Sequence, residues 1–304
     1  ELFRKGDGAL KRQSFLKGSA VLMAMVLVTK LIGMIYKVPL TNMLGGTGMS
    51  CYSGAFAIFA PVFAAAAAGV PSAMSRLVSE QLALGRYANA VKIKRAALLI
   101  FSAVSIAMSL ALILSAHILA ARVIHVPQAK WALIGVSLSL FPAAVMNVER
   151  GWAEGIGSMT PTASSEIAET IFKAVFGLAL PYKVISAARA SFEAYHGCFG
   201  HYCADMREAM MTAAPYAAAA SALGVSLASF AACIWVFIRT RGLSRRCARE
   251  FEHTGLPRDM GLRAACRKLR QFTLPIAILL GLLCGGVAPR KGRVLLLAMT
   301  LLLS

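Results

Sequence analysis

Apolar runs about twenty residues long recur along the chain, separated by short stretches rich in Lys, Arg, Gly and Pro. A helix rises 1.5 Å per residue, so about 20 consecutive apolar residues cross the hydrocarbon core of a bilayer. Six runs meet that length: residues 19–40, 51–78, 96–121, 131–148, 161–182 and 210–238. A seventh begins near Phe272 as "FTLPIAILLGLLCGG", is cut by "VAPRKGR" and resumes as "VLLLAMTLLLS". The pattern predicts an all-α fold, a polytopic membrane helical bundle of six transmembrane helices plus a partial seventh. It divides the chain into a cytoplasmic lead (1–18), a six-helix membrane lobe (19–238), a basic cytoplasmic linker (239–271) and an atypical end (272–304).

Composition sharpens this reading. Of 304 residues, 58% are hydrophobic and 15% charged, and the mean hydropathy is +0.68, values that exclude a soluble enzyme. The formal net charge of +19 raises the possibility of a nucleic-acid partner. The cations, however, fall in the connections between apolar runs and are not interleaved with aromatic residues, so topology accounts for them and no nucleic acid is expected. With the amino terminus in the cytoplasm, the inner segments hold Lys5, Lys11, Lys17, Arg86, Lys92, Lys94, Arg95 and the dense group from Arg239 to Arg270. The outer connections hold only Arg122, Lys130, Lys183, Arg189 and Arg207, the asymmetry of the positive-inside rule. The seven cysteines are odd in number and lie mostly in apolar runs, which argues against a disulfide framework. The first apolar run is long enough to span, so no cleavable signal peptide is expected.

Charges inside a span cost about 3 kcal/mol at the bilayer centre on insertion scales, so they face a partner, a watery cavity or the interface. In "VTKLIGMIYKVPL", Lys30 and Lys37 are seven residues apart and share one helix face. Lys37 is close enough to the expected outer interface to snorkel there; Lys30 is not. Arg76, after Gly69 and Pro71, reads either as a cytoplasmic anchor of the second span or as part of the same cationic patch.

The stretch "RGWAEGIGSMTPTASSEIAET" lies between the fourth and fifth runs and carries Arg150, Glu154, Glu166 and Glu169. Gly155 and Gly157 suit a turn at the end of the fourth helix, and Pro161 suits the first turn of the fifth, where its missing N–H costs nothing. Glu166, Glu169 and Lys173 recur at helical spacing, giving a polar stripe that needs a non-lipid neighbour. That stripe serves either as a structural Glu169–Lys173 pair or as a substrate contact.

Several landmarks stand in order. They are "LIGMIY" flanked by basic residues, Pro39, the "GGTGM" turn, "AGVP", "SRLVSEQLALGRY" and then the Arg150 stretch. Together they resemble the stage V sporulation protein B-like branch of the polysaccharide-biosynthesis, lipid-linked oligosaccharide flippase family, over most of residues 14–240. The family pattern favours Gln where this chain has Glu154 and Glu166. Family members also continue through a second lobe, so the ending "LLCGGVAPRKGRVLLLAMTLLLS" is expected to mark a truncated or frame-shifted product.

The resemblance implies a transporter, not an enzyme. A flippase of this kind carries a polyprenyl-pyrophosphate-linked saccharide, such as a peptidoglycan or spore cortex precursor, across the cytoplasmic membrane by alternating access. Lys30, Lys37, Arg76 and Arg150 would meet the pyrophosphate, with Glu166, Glu169 and Lys173 lining the same region. Arg239, Arg241, Arg245, Arg246 and Arg249 would rest on anionic membrane lipids. The sequence leaves the oligomeric state open. A cation-coupled multidrug extruder of the same superfamily is the alternative; it would want a carboxylate in the first two spans, and neither has one. An inactive half-transporter is the third reading. His196, Cys198, His201 and Cys203 lie too close together for an ordinary zinc finger, while a Cys198–Cys203 disulfide is open to them. No Walker loop, dinucleotide glycine motif or nucleophile–base set occurs, so no cofactor, metal or catalytic residue is expected.

Overall fold

The computed structural model describes residues 15–251 apart from 65, 66, 68, 196, 199, 200, 203 and 204. The expected lead as far as residue 14, most of the expected linker and the expected partial seventh helix therefore lie outside the described residues, as do His196 and Cys203. Among the described residues the fold is helical save for a two-residue antiparallel ladder. In chain order the elements are α1 (Phe15–Phe63), α2 (Val70–Ala83), α3 (Tyr87–Leu119), α4 (Lys130–Ser137), α5 (Leu140–Gly155), α6 (Thr160–Tyr195), β1 (Gly197–Cys198), β2 (His201–Tyr202) and α7 (Met206–Phe251). The ladder pairs Cys198 with His201.

Among the described residues five helical segments are long and apolar enough to cross a membrane, and the first, Met23–Phe63, holds most of the expected first span and the first half of the second. Gly45, at φ 63° and ψ −172°, breaks α1 into two runs, a conformation in which a side chain would be strained. The "GGTGM" stretch thus does form a bend. The second run stops at Phe63 and resumes as α2, with Pro71 in the first turn. This break frees carbonyls that have no water to turn to in a membrane, and Asn147 Nδ2 donates to the Ala67 carbonyl oxygen at 3.1 Å. α6 starts at Thr160, one residue before Pro161, as its proline predicts. α7 does not end with its apolar run at 238 but continues to Phe251, because Thr240, Ser244 and Cys247 dock on α3 and α5 and so extend the helix into the expected linker.

Among the described residues two large apolar clusters make most of the core. One joins α1, α3, α4 and α7 around Leu44, Leu112, Leu133 and Ala218, and the other joins α2, α3 and α5 around Met74, Ile93 and Trp152. Hydrophobic attraction between helices is weak in lipid, so close backbone approach and hydroxyl bonds do much of the joining. A Cβ on Gly151 would fall 2.6 Å from Met74 Cβ and 2.7 Å from the Pro71 carbonyl oxygen, and one on Gly155 would fall 2.6 Å from Val78 Cβ. Gly155 is therefore a packing residue inside α5, not part of the turn; the turn belongs to Gly157, at φ 88°. Likewise α6 and α7 meet where a Cβ on Gly224 would strike Phe176 O at 2.5 Å, and Ser221 Oγ donates to Gly177 O at 3.1 Å.

These contacts predict a contrast. Gly151→Ala should lower the melting temperature of the purified protein by several degrees, since overpacking against backbone costs about 1–3 kcal/mol. Gly33→Ala, where the added methyl meets nothing within 4 Å, should leave it unchanged or raised. Equal melting temperatures for the two variants would contradict the packing described.

Candidate functional site: a buried charge network and an open cationic flank

The charged residues inside the bundle gather on α5. Glu149 and Arg150 are consecutive, so their side chains leave the helix about 100° apart and reach different neighbours. Glu149 is fully buried. Its Oε2 accepts hydrogen bonds from Lys94 Nζ of α3 at 2.7 Å and from Thr240 Oγ1 of α7 at 2.6 Å. Lys94 Nζ also lies 5.1 Å above the Trp152 ring, and Trp152 Nε1 donates to Ser244 Oγ at 2.9 Å. Tyr87 OH closes the group by donating to the Ser244 carbonyl at 3.0 Å. One carboxylate thus ties α3, α5 and α7.

Arg150 turns to α6. Its Nε donates to Ser165 Oγ at 2.8 Å and its Nη2 to Glu169 Oε2 at 2.9 Å, while Lys173 Nζ donates to Glu169 Oε1 at 2.6 Å. The i,i+4 pair read from the sequence is present, and Arg150 makes it a triad. Arg150 and Glu169 are mostly buried; Lys173 is 36% exposed. Glu154 Oε1 accepts from Thr162 Oγ1 at 3.2 Å and lies within the fields of both Arg150 and Glu166. Glu166 is half-buried and has no ion pair among the described residues.

The remaining cations of the expected site stand apart. Arg76 is exposed on α2, outside both ion-paired groups. Lys30 and Lys37 are exposed on α1 and have no ion-pair partner among the described residues. α1 packs through Thr29, Ile32, Tyr36 and Leu40 and leaves Leu27, Leu31, Met34 and Val38 open. At 100° per residue the two lysines sit on the flank between these faces, about a quarter turn from the packed stripe.

Depth follows from helix geometry. Tyr36 packs at Gly177, and residues 42–47 adjoin 182–189, so this part of α1 runs parallel to α6. Lys30, six residues before Tyr36, is then level with Ile171, between Glu169 and Lys173. It lies roughly 22 Å along the axis from the Gly45 bend, a separation shorter than a hydrocarbon core of about 30 Å.

Sequence reasoning did not single out Lys94, Glu149, Thr240, Trp152 or Ser244. Glu149 offered a signal, a carboxylate at the end of an apolar run, but Lys94 reads as one more inner-segment cation until the fold brings them together. Cys198 is buried against Phe192 and Ala209, and no group of three metal-ligating side chains occurs among the described residues.

Long apolar helices with charges paired in their interior define a multi-pass integral membrane protein. The chain belongs to the polysaccharide biosynthesis protein family, whose sequence model matches residues 15–194, more than half of its length. It is similar to Lipid II flippase MurJ of Bacillus subtilis (strain 168), with 26% identity over 202 residues that make up 61% of this chain and 37% of the relative. Stage V sporulation protein B of the same organism is 26% identical over 164 residues, 54% of this chain and 32% of that protein. The matches thus span only about a third of these relatives' own length. No solved structure matches the chain significantly.

The network predicts a specific pattern of stability. Lys94→Met leaves Glu149 buried without its cation and should cost about 3–5 kcal/mol, whereas adding Glu149→Leu should recover much of the loss. Denaturant or thermal unfolding of the single and double variants in detergent measures this. Additive losses would show that the two residues do not act as a pair.

Proposed function

We propose that this chain forms the amino-terminal lobe of a flippase that moves a polyprenyl-pyrophosphate-linked saccharide across the cytoplasmic membrane by alternating access, with its amino terminus in the cytoplasm. The observation that carries this reading is the state of the cations. Lys94 is paired with Glu149, and Arg150 and Lys173 share Glu169, while Lys30 and Lys37 stand exposed with no ion-pair partner among the described residues. An unpaired ammonium in a membrane span needs water and an anion, and a pyrophosphate is an anion that travels through the same depth. The names of the relatives, a Lipid II flippase and a sporulation protein, support a precursor of peptidoglycan or spore cortex as the saccharide.

In this mechanism the triad on α5 and α6 does not hold the substrate directly. Arg150 and Glu169 fix the two helices to each other, so the lobe moves as a unit, and Lys173, the most open member, presents a third cation level with Lys30. Arg76 lies outside this group and serves as an anchor at the cytoplasmic surface.

A cation-coupled extruder is the second reading, and Glu154 and Glu166 favour it. They are partly buried carboxylates close enough to interact, standing where the family pattern has Gln.

Binding separates the two. The purified chain in nanodiscs should bind a fluorescent polyprenyl-pyrophosphate-linked saccharide, and Lys30→Gln should weaken that binding about tenfold at unchanged melting temperature. Unchanged binding in Lys30→Gln, with cationic-dye binding that is lost on Glu166→Gln, would replace the flippase reading with the extruder.

A further inference from the structure

The ion-paired charges lie toward the end of the bundle where α6 starts. At the other end, a cavity of about 520 Å³ opens between the Gly45 bend of α1, the last turns of α6 and the first turns of α7. Two of its lining residues are arginines, Arg189 of α6 and Arg207 of α7, and both are exposed. No Asp or Glu lines it, although Glu193, Asp205 and Glu208 are near in sequence. Neither arginine has an ion pair or hydrogen bond to another described residue. Asn42, Thr47 and Ser186 add amide and hydroxyl groups, and Met210 and Ile185 form an apolar wall. The cavity is open at the bend, where a Cβ on Gly45 or Gly46 would meet nothing within 4 Å.

Depth decides what kind of ligand reaches such a cavity. Arg189 is twenty residues beyond Glu169 on one helix, or roughly 30 Å along its axis, which is about the thickness of the hydrocarbon core. With the triad inside one half of the core, the cavity lies beyond the other half, at headgroup level. Two unpaired guanidiniums match the geometry of a phosphate, which each can grip through two parallel N–H groups. An apolar wall beside them suits the first carbons of a lipid tail.

We infer that the Gly45 bend, Arg189 and Arg207 form a binding site for the phosphate of a lipid headgroup, at the membrane face opposite the Arg150 triad. The site is separate from the α1 lysine flank and stands whether or not the chain transports a saccharide. Its ligand chemistry, a phosphate ester carrying an apolar tail, is shared by anionic phospholipids and by polyprenyl carriers.

Native mass spectrometry of the purified chain in a neutral detergent tests the site, with phosphatidylglycerol, polyprenyl pyrophosphate or phosphatidylcholine added singly and in competition. The wild type should retain phosphatidylglycerol or polyprenyl pyrophosphate in preference to phosphatidylcholine. Arg189→Gln with Arg207→Gln should lower that retention about tenfold, while Arg189→Lys with Arg207→Lys should lower it less. Both arginines are exposed, so the variants should keep the wild-type melting temperature. If they do not, loss of the adduct as salt is raised in the wild type stands in for them. Displacement of phosphatidylglycerol by an equal amount of polyprenyl pyrophosphate gives the site to the carrier, and the reverse gives it to the surrounding bilayer. Equal retention of phosphatidylcholine and phosphatidylglycerol, or full retention of the anionic lipids by the folded glutamine variant, would overturn the site. A failure of Lys30→Gln to affect saccharide binding would leave it standing.

Discussion

Two adjacent residues of opposite charge on one helix hold this bundle together. Glu149 and Arg150 of α5 diverge toward different neighbours, one gathering α3 and α7 through Lys94 and Thr240, the other gathering α6 through Ser165 and Glu169. A charge without a partner is costly in a membrane, so each of these contacts constrains where a whole helix can sit. α5 is a short helix, yet every later helix of the lobe docks on it through a polar bond. The apolar contacts supply area, but they would tolerate sliding or rotation that the ion pairs forbid.

Glycine and serine make this arrangement possible. Gly151 and Gly155 flatten the side of α5 that meets α2, so the charged side of the same helix can lie close to α3, α6 and α7. Ser226 Oγ donates to the Gly135 carbonyl at 2.6 Å, fixing α4 against α7 by the same combination of a missing side chain and a hydroxyl bond. α1 is the exception: its first run packs through one stripe only and leaves an apolar face and a cationic flank open. A lobe whose inner charges are ion-paired and whose one open helix is cationic presents charge outward, toward whatever lies beside α1.

Much of the fold was legible because the strongest physical demands act locally. Membrane thickness sets run length, so six spans could be counted, and proline and positive-φ glycine mark where helices begin and bend, as at Pro161, Gly45 and Gly157. The Glu169–Lys173 pair was legible because its spacing is one helical turn. Lys94 and Glu149 were not, because they are 55 residues apart and only the packing of α3 on α5 joins them. The extension of α7 beyond its apolar run was hidden for the same reason: Thr240 and Ser244 look like linker residues until Glu149 and Trp152 give them partners. Gly155 was misread because a glycine at a helix end serves a turn and a tight helix contact equally well in sequence.

The central claim is that Lys30 faces water and an anionic lipid inside the membrane's depth. Its amine reactivity tests this most directly. The chain, reconstituted in vesicles, is exposed to a membrane-impermeant amine reagent from each side, with modification mapped by peptide mass spectrometry and Lys94 as the internal control. The account predicts that Lys30 reacts, that Lys94 in its ion pair does not, and that polyprenyl pyrophosphate protects Lys30 while an equal amount of phosphatidylcholine does not. A Lys30 that stays unmodified from both sides, or that reacts equally with and without the pyrophosphate lipid, would contradict it.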